Sequence, residues 1–147
     1  LREGVALVEE LSARYLVIPW KTSISWDTMR RRYPMPHGFS PDHVIAGKAS
    51  LNYGHLASRY GGTYVEALMT RDIARERGWR RLVITTEGYH LPRAKLAFRR
   101  VFDGTGAALD FRASRFDQYR SMPFWRRWFR RDVMREIPKL AYGFVVY

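Results

Sequence analysis

Between Val83 and Ala94 the chain reads Val-Ile-Thr-Thr-Glu-Gly-Tyr-His-Leu-Pro-Arg-Ala. An apolar strand ends in Thr85 and Thr86. A glycine turn follows, then Tyr89 and His90, then a helix whose first turn holds Pro92 and Arg93. In open α/β sheets, ligands bind beyond the carboxyl ends of the strands. Two hydroxyls, an imidazole and a guanidinium are therefore expected to converge where a ligand would sit. His90 is the acid–base candidate, because its charge changes near neutral pH. Arg93 lies in a helix first turn, where a cation gains nothing from the helix dipole; an anionic partner explains it better. The helix opening near Leu91 adds backbone N–H groups suited to a phosphate or carboxylate. The plainer readings stay open beside these. His90 can be a hydrogen-bonded structural residue, Thr85 and Thr86 can simply close a strand, and Arg93 can meet an acidic side chain.

The elements that must position these groups follow from hydrophobic periodicity. Leu1, Val5, Val8 and Leu11 predict a helix over 2–13, and Tyr15 to Ile18 a buried strand that ends at Pro19. Pro34, Pro36 and Pro41 break up residues 20–42, with a short helix available from Trp26 to Arg32. Val44 to Ala46 reads as a second strand. Asn52, Gly54, Gly61 and Gly62 give residues 50–62 the chemistry of a loop. Thr63 to Arg77 is a firm helix stopped by Gly78. Arg81 to Thr85 is a strand, Pro92 to Phe102 a helix, Asp103 to Gly106 a turn, and Ala107 to Ala113 a last strand. This alternation predicts an α/β protein, a three-layer Rossmann-like sandwich around a mostly parallel sheet. Residues 1–147 read as one domain. Such sheets usually open with a strand, so a helix-first start predicts an N-terminally truncated domain lacking its first strand.

The segment from Leu82 to Ala94 resembles the signature of the YdcF/SanA/ElyC-like family, in which an apolar strand, a hydroxyl pair and a histidine precede x-x-Arg-Ala. Ser58-Arg59 and Thr63-Tyr64-Val65-Glu66-Ala67 resemble that family's Ser-Arg-x-Thr-x-Glu-Asn motif. Gly61 and Gly62 are extra residues inside it, Glu66 falls one place late, and Ser50-Leu51-Asn52 is a rival for its first half. Pro19-Trp20-Lys21 stands where the family often has Ser-Gly-Gly, and the Gly-rich loop after the family's first strand is absent. The resemblance covers most of residues 1–102. It implies a Rossmann-like sandwich tied to the bacterial envelope at the inner membrane, with links to peptidoglycan or its lipid carrier. It implies a small anionic or nucleotide-like ligand, with S-adenosylmethionine bound by one member. Thr63, Thr85, Thr86, Tyr89 and Arg93 would contact that ligand, His90 would be the acid–base group, and Glu66 would orient His90 or Arg93.

Composition narrows the alternatives. The 147 residues hold no cysteine, which excludes disulfides, thiolate catalysis and zinc–sulfur sites. No metal site is expected. No apolar run approaches the ~20 residues that span a bilayer, so this stretch is expected to be soluble. The formal net charge is +12, spread over several helices with one dense cluster at residues 126–135. Over about 124–145, Trp125, Phe129, Val133, Ile137 and Leu140 recur at helical spacing among arginines. That pattern is a basic amphipathic helix, with a kink or break at Pro138. It suits packing on the sheet or lying on an anionic membrane surface. Nucleic acid is not expected, since no helix-turn-helix, zinc-finger or RNP-type motif is present. A charge-driven module for membrane or nucleic acid, with a degenerate pocket, is the alternative to a ligand-binding domain.

Overall fold

The computed structural model describes residues 1–19, 25–47, 49–117, 134–136 and 138–139, and for 49–52 the backbone alone. Helix α1 spans Arg2–Glu10 and buries Val5, Leu7 and Val8. Strand β1 (Leu16–Ile18) follows, then α2 (Trp26–Arg32), where the Ser25 hydroxyl accepts the Thr28 amide at 3.3 Å. A 3₁₀ turn at Pro41–His43 leads into β2 (Val44–Ala46). Helices α3 (Ala49–Tyr60) and α4 (Gly62–Glu76) precede β3 (Arg81–Thr86), α5 (Leu91–Phe102) and β4 (Ala108–Ala113). The chain is thus mixed α/β, and every strand pairing among the described residues is parallel.

Two expectations change. Residues 50–62 are not a loop but mostly helix, α3, kinked where Tyr53 leaves helical geometry. Tertiary packing overrides the local glycine and asparagine signals there. Tyr53 and Leu56 pack on the core, and the Tyr53 hydroxyl donates to Asp72 on α4. Gly61, at φ +82°, makes the corner between the two helices in a conformation that favours glycine. The second change concerns the sheet. The described strands form two separate pairs, β1–β2 and β3–β4, in place of one continuous sheet.

The main core lies on one face of β3–β4. Ala67, Leu68 and Ala74 of α4 meet Phe98, Val101 and Phe102 of α5, over Leu82, Ile84, Leu109 and Phe111 from the strands. Side chains alternate across a strand, so Asp110 and Arg112 point to the opposite face. There α1 is tied down by ions: Arg112 Nη1 meets Glu10 at 2.9 Å, and Arg115 Nε meets the buried Glu3 at 3.0 Å. Of the basic amphipathic segment at 124–145, most lies outside the described residues; residues 134–136 and 138–139 are helical. Among the described residues no helix is long and apolar enough to cross a membrane.

Candidate functional site

The site is built at the carboxyl end of β3 and the amino ends of α4 and α5. The Gly61 corner starts α4 so that Thr63 and Glu66, three residues apart, share its inner face. Strand β3 delivers Thr85 and Thr86. A short turn then begins α5, with the His90 amide donating to the Glu87 carbonyl at 3.0 Å. Thr63, Glu66, Thr85, Thr86, His90 and Arg93 all line one cleft of about 1120 Å³. The expected convergence of these residues is present. Tyr89 does not line the cleft, but its ring lies 4.2 Å from that of His90.

Arg93 is the hub. Its Nε donates to Glu136 Oε2 at 2.6 Å, its Nη1 to the Thr63 hydroxyl, and its Nη2 lies 3.2 Å from His90 Nδ1. Glu136 is 5 % exposed. It also meets Lys139 Nζ at 2.7 Å and His90 Nδ1 at 3.1 Å. The two His90 contacts are alternatives. An Nδ1 that carries a proton donates to Glu136, whereas a bare Nδ1 accepts from Arg93. His90 can thus change tautomer without losing a partner, which suits a proton-handling group.

The carboxylates of the site are set apart by their surroundings. Burial alone would raise the Glu136 pKa. Hydrogen bonds from Lys139, Arg93 and His90, with the Arg93 charge, outweigh that and hold it at about 2. Burial pushes Glu66 above its ordinary value, and the Arg93 charge only partly opposes this. Glu66 therefore feels Arg93 electrostatically, while the carboxylate that touches both Arg93 and His90 is Glu136. Arg93 and Lys139 thus face one strongly held anion, Glu136, while burial works against the charge on Glu66.

A carboxyl whose folded pKa exceeds its unfolded value binds its proton more tightly when folded. Stability then falls as pH rises through that interval. Glu66→Gln is therefore expected to raise the melting temperature at about pH 7 more than at about pH 4. Thermal melts at the two pH values check this; an equal change at both would mean that Glu66 is not penalised by burial.

Two details depart from the sequence reading. The α5 start offers few spare amides. Leu91 N–H donates to the Gly88 carbonyl at 3.3 Å, Pro92 has none, and the Gly88 amide is taken by Asp117 Oδ2 at 2.8 Å. Glu136 was not among the expected site residues, although a signal for it exists. It stands three places after Val133 and four before Leu140, an acid on the apolar register of a basic segment. The Thr85 Oγ1 atom is buried and has no hydrogen-bond partner among the described residues. Also among these, no cluster of three or more His, Asp or Glu could hold a metal ion. No protein-family model, curated protein or solved structure matches the chain.

Proposed function

We propose that this chain is a YdcF-like domain that binds a small anionic or nucleotide-like ligand at the carboxyl end of β3, with β1–β2 and β3–β4 as parts of one three-layer Rossmann-like sandwich. The observation that carries the reading is the convergence of Thr63, Glu66, Thr85, Thr86, His90 and Arg93 on one cleft. Pockets for small ligands span about 300–1,000 Å³, so this cleft is roomy enough for a nucleotide. Three of the five guanidinium N–H groups of Arg93 are accounted for by Glu136, Thr63 and His90. The remaining donors and the threonine hydroxyls suit a carboxylate or phosphate.

S-adenosylmethionine fits these groups in outline. Its carboxylate would be held by Arg93 and the threonines, and the orphaned Thr85 hydroxyl would gain a partner. When bound it supplies an electrophilic methyl group. In this reading His90 moves the proton, Glu136 positions His90 and Arg93, and Tyr89 braces the imidazole. The envelope setting, with peptidoglycan or its lipid carrier as the wider context, comes with the family resemblance and belongs to the same proposal.

NMR titration of the His90 ring with inorganic phosphate, and in parallel with S-adenosylmethionine, tests the reading. Saturable shifts at His90 are expected, weakened by about tenfold in Thr86→Val through loss of one hydrogen bond. The absence of any shift with either probe at millimolar concentration would overturn it.

A further inference from the structure

The cleft runs the length of β3. At the end away from His90 it is lined by Arg14, Tyr15, Arg77, Trp79 and Arg81. At ~3.3 Å per residue, Arg81 stands roughly 17 Å from Thr86 along the strand, so this end is separate from the ligand site. Local structure brings the five residues together. Arg14 and Tyr15 lead into β1. Arg77 caps α4, and Gly78, at φ +65°, turns the chain so that Trp79 and Arg81 follow into β3. The Tyr15 ring stacks on Trp79 at 5.0 Å and meets His43 edge to face at 6.0 Å.

Two guanidinium groups are laid on these rings. The Arg77 Cζ lies 5.1 Å from the Tyr15 centroid and 5.9 Å from that of Trp79, and the Arg14 Cζ lies 5.5 Å from Tyr15. Such stacking holds the planar group and leaves its N–H edge free for an acceptor. No carboxylate meets that edge. Arg93 and Arg112, on the same cleft, each hold an acid. Arg14, Arg77 and Arg81 form no ion pair among the described residues. Those residues include every acidic side chain of the protein except Asp132. Arg14 and Arg77 thus share one ring and repel each other with no counter-charge printed between them by the fold. All three arginines are exposed, so an anion reaches them directly from solvent.

We propose that this end of the cleft is a second anion site, which binds the phosphate group of a phosphomonoester between Arg14, Arg77 and Arg81. Near neutral pH such a group carries close to two charges and three acceptor oxygens, enough for two or three guanidinium groups at once. A carboxylate has one charge and two oxygens and suits a single arginine. A nucleic-acid strand fits less well. Its phosphodiesters carry one charge each, and the Tyr15 ring on which a base would stack is taken up by Trp79 and two guanidinium groups. The inference goes beyond the ligand reading above and uses none of the same residues.

Inorganic phosphate is titrated into the full chain and followed by NMR at the Trp79 indole N–H, with acetate at equal ionic strength for comparison. A saturable shift is expected with phosphate, and binding at least about tenfold weaker with acetate. Arg14→Gln and Arg77→Gln are each expected to weaken phosphate binding by about tenfold, through loss of a charge-assisted hydrogen bond. Arg30→Gln, at an exposed position of α2 outside the cleft, removes the same charge and should change nothing. No saturable shift at Trp79 at millimolar phosphate overturns the proposal. So does equal binding of acetate, or equal weakening in all three variants, which would leave net charge as the cause. Vesicles of phosphatidylcholine with phosphatidic acid identify the source of the phosphate. Vesicle binding lost in Arg77→Gln supports the site and assigns it to a lipid headgroup, whereas phosphate binding without vesicle binding assigns it to a soluble phosphomonoester. A single-stranded oligonucleotide without terminal phosphates that binds more tightly than phosphate, and loses this in Arg77→Gln, overturns the proposal. The His90 ring reports the ligand site in the same titrations. Arg77→Gln should act at Trp79 alone and Thr86→Val at His90 alone, so failure of one reading is distinguishable from failure of the other.

Discussion

Glu136→Ala is expected to lower the unfolding free energy by about 3–5 kcal/mol, the usual cost of removing one partner of a buried ion pair. Glu136 is 5 % exposed, and the Arg93 side chain it holds at 2.6 Å is 16 % exposed. Taking the carboxylate away leaves Arg93, among the described residues, with the Thr63 hydroxyl and His90 as partners. His90 loses the carboxylate that lies 3.1 Å from its Nδ1. Urea denaturation measures the loss, and a change below about 1 kcal/mol would mean that water already reaches the pair. The double variant Arg93→Met with Glu136→Leu separates the penalty of an orphaned charge from the net worth of the pair. Replacing both partners by apolar groups is often close to neutral, so the double variant is expected to be more stable than Glu136→Ala alone. It would also abolish any phosphate shift at His90.

The second large effect is the acid limb of stability. The folded pKa of Glu136 lies at about 2, against an ordinary 4.5. A depressed folded pKa contributes stability that is fully present above the unfolded value. It is lost as pH falls towards the folded value, because the unfolded chain takes up the proton first. The window is therefore about pH 4.5 down to about 2, and its depth is roughly 3 kcal/mol at 1.36 kcal/mol per pKa unit. Asp72, lowered against its own burial by the Tyr53 and Arg71 hydrogen bonds, adds to the same limb. Glu136→Gln is expected to flatten the limb and leave the Asp72 part in place. Denaturation midpoints followed from about pH 6 to about pH 2 decide it. Parallel curves for wild type and variant would show that the cluster does not carry the acid sensitivity.

The parts of this molecule that were legible in its sequence are those governed by local rules. Val83 to Arg93 combines an apolar run, a hydroxyl pair, a glycine turn and a proline in a first turn. Each of these acts over a few residues, and together they placed β3, α5 and the orientation of His90 and Arg93. Residues 50–62 went the other way. Asn52, Gly54 and the Gly61-Gly62 pair argue for a loop by local chemistry. The helix there is supported by contacts of Tyr53 and Leu56 with distant parts of the chain, which no local window contains. Glu136 is the same case in the site. Its partner Arg93 is 43 residues away in sequence, and the basic residues around Glu136 draw attention to the surface. The break between β1–β2 and β3–β4 was not legible either, since strand periodicity records which face is buried but not which neighbour is present.

The placement of the hydrophobic core has a consequence for cooperativity. All the residues of the main cluster, with the side chains packed against it, lie between Tyr53 and Phe111. Residues 1–47 sit outside it, and α1 is held to β4 and the residues that follow it largely by Glu3 and Glu10 against Arg112 and Arg115. Of these four side chains only Glu3 is buried; the other three are 38–46 % exposed, a setting in which salt weakens attraction. The amino-terminal third is therefore expected to open as a unit of its own, opposed by the burial of Val5, Leu7 and Val8 and by the Tyr15–Trp79 stack. It should detach before the core melts, at a free energy that falls with ionic strength, and leave Thr63, Thr86, His90 and Arg93 standing on the part that remains folded.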